Sequence, residues 1–271
     1  QLGFIASGLG IAYGISKFIM GNVSDRSNPR YFLAAGLILS GIVNILFATT
    51  TSNIVMFVLM LLNGWFQGMG WPPCGRTMTH WFSDKERGVK MSIWNTAHNV
   101  GGGLIAVIVV YGVNTFGGWK GAFYFPGIIA IVVGILFMIF AKDTPQSVGL
   151  PPIEEYKDDY PELVVEVEDR EKELSAKEIL VKYVLKNKFL WFIAFANVFV
   201  YFVRYGVVNW VPIYLEQVKH FSVKESTLAF SLFEYAAIPG TIVVGWLSDK
   251  VFHGRRAPMG VFCMIGVIAG V

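Results

Sequence analysis

Four ionisable side chains stand inside long apolar runs of this sequence: Lys17, His98, Arg204 and Glu234. A charged group in hydrocarbon is expensive, and such groups bind, relay protons or pair with one another. Arg204 is the deepest. It lies about 15 residues into its run, roughly 22 Å along a helix and far from either membrane surface. Asn197, Tyr201, Arg204 and Val208 share one helical face. A guanidinium there can grip a carboxylate or phosphate through two parallel bonds, or it can pair with Glu234 on the following run. His98 has Asn95 one turn before it and Gly102 one turn after. An imidazole can change charge or donate a bond near neutrality, so His98 either meets a ligand or bonds across a glycine-packed helix crossing. Lys17 follows Tyr13 by one turn; it either snorkels to the next loop or lines a cavity with Tyr13. Glu234 has no charge close to it in sequence, and a pairing role with Arg204 or Lys17 is expected, with proton coupling as the alternative. The interior is therefore cationic on balance. It suits an anion such as a phosphate ester, with a charge of about −1.5 to −2 and three acceptor oxygens.

The elements that carry these residues follow from composition. Of 271 residues, 54% are hydrophobic and 15% charged, and the mean hydropathy is +0.54. A soluble domain carries about 25% charged residues, so a soluble enzyme, a nucleic-acid reader and a disordered chain are all disfavoured. Seven stretches are long and apolar enough for membrane helices: 2–22, 31–50, 54–79, 90–112, 119–141, 189–215 and 225–248, with an eighth beginning near Pro258. Basic residues concentrate in alternate loops, at 23–30, 80–90, 142–188 and 249–256, which places those loops in the cytoplasm. Segment 142–188 holds twelve acidic and eight basic residues, a net of −4 within a chain of net +3. It reads as a cytoplasmic tether. Its second half opens with Ser175 and Glu178, spaced as a capping box for a short amphipathic helix. Cys74 and Cys263 lie in apolar surroundings, and no metal-ligand spacing or nucleophile–base pair is present. No metal, no cofactor and no enzyme activity are expected.

Two basic loops repeat each other. Residues 21–30 read GNVSDRSNPR and residues 245–256 read GWLSDKVFHGRR. Duplication of a membrane unit produces such pairs. Gly21 and Gly245 are expected to let helices approach closely. Asp25 and Asp249 are expected to accept bonds from an arginine or a helix N-terminus. With Arg26, Arg30, Lys250 and Glu234, they form the candidate conformational or gating set. A Pro-Pro kink is expected where GWPPCGR, residues 70–76, nears the cytoplasm.

The loop repeat resembles the signature of the major facilitator superfamily. YGISKF (13–18), GWPPCGR (70–76), WNTAHNVGGG (94–103), YFVRYG (201–206) and the segment DTPQSVGLPPIEEYKDDYP (143–161) narrow the resemblance to its organophosphate:phosphate antiporters. The resemblance implies an all-α membrane fold of two pseudo-symmetric six-helix halves, here carrying helices two to eight and part of nine. Residues 1–141 are then an N-terminal half without its first helix, 142–188 a cytoplasmic linker, and 189–271 the start of the C-terminal half. It also implies exchange of a phosphate ester, glycerol-3-phosphate first, for inorganic phosphate in the inner membrane, by a monomer needing neither cofactor nor nucleic acid. The family's substrate-binding positions fall on Arg204, His98, Lys17, Tyr13, Tyr201 and Asn95. Hexose-phosphate or phosphoglycerate exchange, or a non-transporting sensor of the same esters, are the alternatives.

Overall fold

The computed structural model describes residues 2–158, 181, 184–251 and 256–270, without the side chains of 2, 84, 85, 88, 245, 246, 248–250, 256, 257 and 270. The described residues form ten α-helices and one 3₁₀ turn. They are α1 (Leu2–Asp25), α2 (Pro29–Thr49), α3 (Asn53–Gln67), α4 (Trp71–Trp81), α5 (Asp84–Phe116), α6 (Gly121–Phe140), α7 (Ile153–Lys157), α8 (Lys188–Gln217), α9 (Val223–Lys250) and α10 (Arg256–Gly270). Seven stretches are long and apolar enough to cross a membrane, with α3 and α4 together making one of them, Asn53–Trp81; Pro258–Ala269 is a shorter apolar helix. This matches the expected count. The Ser175–Glu178 capping box lies outside the described residues.

Two boundaries differ from expectation. The 80–90 loop is already helical from Asp84, because Ser83 sits extended in the N-cap position and the chain can enter α5 at once. The expected Pro-Pro kink is instead a helix break one turn earlier. Gly68, Met69 and Gly70 end α3, and Pro72 and Pro73 fall in the first turn of α4, where a missing N–H leaves no bond unmade.

The chain divides into two compact units, residues 1–88 with 108–207, and residues 89–107 with 208–271. In the first, α1 packs on α3, and α2 on α3 and α6. Its apolar core is Ile5, Val43, Phe47 and Leu59, with the Phe123 ring tilted against Phe47 at 4.5 Å. A polar ladder runs through the same packing. Ser40 Oγ donates to Asn63 Oδ1 at 2.5 Å, Asn63 Nδ2 to Asn44 Oδ1 at 3.2 Å, and Gln67 Nε2 to Asn63 Oδ1 at 3.1 Å. Such bonds hold membrane helices together where burial of apolar surface gives no preference. In the second unit, α5 lies against α9. Ser231 Oγ donates to the Gly103 carbonyl at 3.1 Å, and a Cβ at Gly102 would come to 3.0 Å of the Glu234 carboxyl carbon. α9 opens with a capping box: Ser222 Oγ accepts from Glu225 N at 3.3 Å, while Glu225 Oε2 accepts from Ser222 N at 2.8 Å.

The segment after α6 folds back onto the first unit. Asn28, which also caps α2, donates to Asp143 Oδ2 at 2.8 Å, and Trp81 Nε1 donates to the Asp143 carbonyl at 3.2 Å. Ile153 is buried, and Lys157 pairs with Glu86 at 3.9 Å. The Ser147 hydroxyl, then backbone amides and Arg30, hold the Asp143 carboxyl below its ordinary range. A depressed carboxylate stabilises the fold above its unfolded value and loses that contribution as pH falls. Asp143→Ala is therefore expected to speed tryptic cleavage at Lys142 at pH 7, and the difference between the two proteins is expected to shrink as pH falls below the ordinary carboxylate value of about 4, vanishing only below the depressed native one. Opening can be followed by hydrogen exchange across 141–158.

Candidate functional site

The first unit gathers six of the candidate or adjacent side chains. Tyr13 and Lys17 come from the middle of α1, one turn apart, with the Lys17 ammonium 5.3 Å from the Tyr13 ring centre. The same ammonium lies 5.6 Å from the ring of Trp71, at the start of α4. Arg204 stands near the midpoint of the 30-residue α8 and is half-buried. One turn before and one residue after it are Tyr201 and Tyr205, whose rings stack at 5.7 Å. Tyr13 lies within electrostatic range of both tyrosines, and Tyr205 within range of Arg204. The result is a surface of cations and phenol hydroxyls. Such a surface can donate several hydrogen bonds to one anion while keeping a net positive charge.

Close packing sets this geometry. Ser16 Oγ donates to the Trp65 carbonyl at 2.5 Å. A side chain at Gly68 would run into Ser16 and come within 2.9 Å of the Lys17 amide, and one at Gly64 would run into the Leu9 carbonyl. Two glycines one turn apart thus let α3 seat on α1 at the level of Lys17.

Asn95, His98 and Glu234 belong to the second unit. Asn95 and His98 are exposed, while Glu234 is buried beside Gly102. Asn99, next to His98, is buried.

The first basic loop departs from expectation. Asp25 and Arg26 are exposed, and a Cβ at Gly21 would meet nothing within 4 Å, so Gly21 marks no close helix approach among the described residues. The arginine at this turn is Arg76 of α4. It donates to the carbonyls of Ser24, at 3.0 Å, and Ser27, at 2.6 Å, not to the Asp25 carboxylate. The physical reason is that carbonyls at and just beyond a helix end keep accepting capacity that the helix does not use, and a guanidinium reaching the turn after α1 takes it up. Arg30 does the same for α6, donating from Nε to Met138 O at 2.5 Å and from Nη2 to Ile139 O at 3.1 Å. The surroundings of Gly245, Asp249 and Lys250 lie outside the described residues.

Sequence patterning gives no role of their own to three contributors: Trp71, Tyr205 and the Asn63 ladder. Trp71 and Tyr205 stand inside the motifs GWPPCGR and YFVRYG, and Tyr205 also keeps a four-residue spacing from Tyr201. That Trp71 reaches Lys17 depends on the break at Gly68–Gly70, which spacing alone does not show.

With this geometry in view, the profile of the family described as Major Facilitator Superfamily matches residues 1–271. A protein of Bacillus subtilis (strain 168) named "Glycerol-3-phosphate transporter" is 61% identical over 275 residues, covering 100% of this chain and 62% of that protein. A "Probable hexose phosphate transport protein" of Chlamydia muridarum (strain MoPn / Nigg) is 47% identical over 279 residues, covering 100% of this chain and 61% of its own length. The chain thus spans about three-fifths of these relatives. Among solved structures, a bacterial homologue of the human lysosomal transporter Spinster, inward-facing and unoccupied, superposes with a TM-score of 0.67 at 19% identity. It covers 90% of this chain and 53% of that one.

Proposed function

Because the chain belongs to the major facilitator superfamily, we propose that it works as part of a secondary transporter exchanging glycerol-3-phosphate for inorganic phosphate by alternating access. It is a multi-pass protein of the inner membrane. The observation that supports the reading best is the grouping of Lys17, Tyr13, Tyr201, Tyr205 and Arg204 within one unit. Two basic side chains grouped with hydroxyl donors match a phosphoryl group, which offers charge and three acceptor oxygens. The ester is named from the relative at 61% identity.

In this reading Arg204 takes the phosphoryl oxygens in a fork. Lys17 adds a compact positive charge. Tyr13 and Tyr201 donate hydroxyl bonds that tolerate either the ester or free phosphate. The roles of Asn95 and His98 rest on the sequence resemblance, as does the assignment of 142–188 as a tether between membrane halves. Arg30 acts by holding the end of α6, so its part in conformational change is to keep the helices of its own unit moving together. Asp25, Arg26, Asp249, Lys250 and Glu234 complete the proposed gating set.

A hexose-phosphate exchanger is the second reading, favoured by the relative at 47% identity. Competition separates the two. With the intact transporter in liposomes, glycerol-3-phosphate is expected to inhibit uptake of labelled phosphate at concentrations at least tenfold below those of glucose-6-phosphate. The reverse order assigns the hexose ester instead.

A further inference from the structure

We propose that Trp71 is a positioning residue for Lys17: with Tyr13, its indole holds the ammonium by cation–π attraction in the orientation that meets the anion. The inference rests on the reading that Lys17 binds that anion.

The two aromatic contacts are of different origin. Tyr13 precedes Lys17 by one turn on α1, so any helix through these residues brings the pair together. Trp71 belongs to another helix. Four features deliver it: Gly64 and Gly68 seat α3 on α1, the Ser16–Trp65 bond fixes the register, the Gly68–Gly70 turn ends α3, and α4 restarts with Trp71 at its first position. The indole then lies back over Gly75, where an added Cβ would stand 3.8 Å from Trp71 Cζ3.

Both ring-centre distances, 5.3 Å and 5.6 Å, are within the range of about 6 Å over which a ring quadrupole attracts a cation. The chemistry of the partner matters. A carboxylate would cancel the lysine charge and occupy its donors. Aromatic faces do neither, so the ammonium stays oriented, positive and rich in N–H donors. This is the state an anion site requires of a flexible four-carbon side chain, which otherwise loses rotamer freedom on binding.

The test is a kinetic comparison in the intact, reconstituted transporter of Trp71→Phe and Trp71→Leu, each also combined with Lys17→Gln. Thermal midpoints in detergent confirm that each variant is folded. Trp71→Leu is expected to raise KM for glycerol-3-phosphate and for inorganic phosphate alike, by about tenfold, with turnover within about twofold of wild type. Trp71→Phe keeps a ring and is expected to recover most of the loss. In the Lys17→Gln background, Trp71→Leu is expected to add nothing further. An unchanged KM in Trp71→Leu, or a full additional loss in the Lys17→Gln background, overturns the positioning role while leaving Lys17 as a binding residue. Wild-type affinity in Lys17→Gln itself overturns the reading of Lys17 on which the inference rests. Phenylalanine matters most for a variant that folds poorly as leucine: an aromatic ring without rescue also counts against the proposal.

Discussion

Arg204→Lys in the intact transporter is expected to lose most phosphate exchange while inserting and folding normally. The substitution keeps the charge and about the same length, so repulsion and volume change little. What disappears is the planar fork. Two parallel charge-assisted bonds become one from a point charge, and each such bond contributes on the order of 1.5–3 kcal/mol. Losing one corresponds to roughly 10- to 150-fold in affinity. The environment sharpens the effect. Arg204 sits near the midpoint of α8, one turn after Tyr201 and next to Tyr205, and a neutral phenol cannot supply the missing charge-assisted bond. Uptake rates across substrate concentrations measure this, and exchange at the wild-type rate contradicts the assignment of Arg204.

The second large effect is structural. Gly64→Val is expected to destabilise the first unit by about 3 kcal/mol or more, at the upper end for an overpacked site. A Cβ at Gly64 would run into the Leu9 carbonyl and lie 3.1 Å from Leu9 Cα. Those are backbone atoms, and no side-chain rotation relieves the clash. α3 must then lift from α1, which also removes the Ser16–Trp65 bond and draws Trp71 away from Lys17. Gly10→Val is the control, since a Cβ there meets nothing within 4 Å. A large fall in thermal midpoint for Gly64→Val beside a small one for Gly10→Val is the expected pattern. Equal midpoints contradict the packing argument.

Hydropathy made the spans legible, because a membrane helix must satisfy its backbone internally and show about 20 apolar residues to lipid. It could not show the break between α3 and α4. Gly68, Gly70, Pro72 and Pro73 each permit a break, and which of them ends the helix depends on α3 seating against Ser16. The basic loops were legible as an orientation signal but not as contacts. Arg30 and Arg76 read as gating charges or generic cytoplasmic residues, whereas their guanidiniums satisfy the carbonyl ends of α6 and α1. Sequence spacing shows which residues share a helix face, and so Tyr13 with Lys17 and Tyr201 with Arg204 were visible. It does not show which helices touch. That Tyr13 of α1 comes within electrostatic range of Tyr201 and Tyr205 of α8, and that α1 meets α4 through Trp71, belongs to tertiary packing. The Ser40–Asn63–Asn44 ladder carries no charge, so its neutral groups stand out less from an apolar run than an ionisable one.

The central claim is exchange of one phosphorylated solute for another. Counterflow in proteoliposomes tests it most directly: vesicles holding the intact transporter are loaded with unlabelled inorganic phosphate, and labelled glycerol-3-phosphate is added outside. The account predicts rapid uptake that overshoots equilibrium, needs internal phosphate and falls away in empty vesicles. Uptake that is indifferent to internal phosphate, or absent from vesicles shown to hold folded protein, would contradict it.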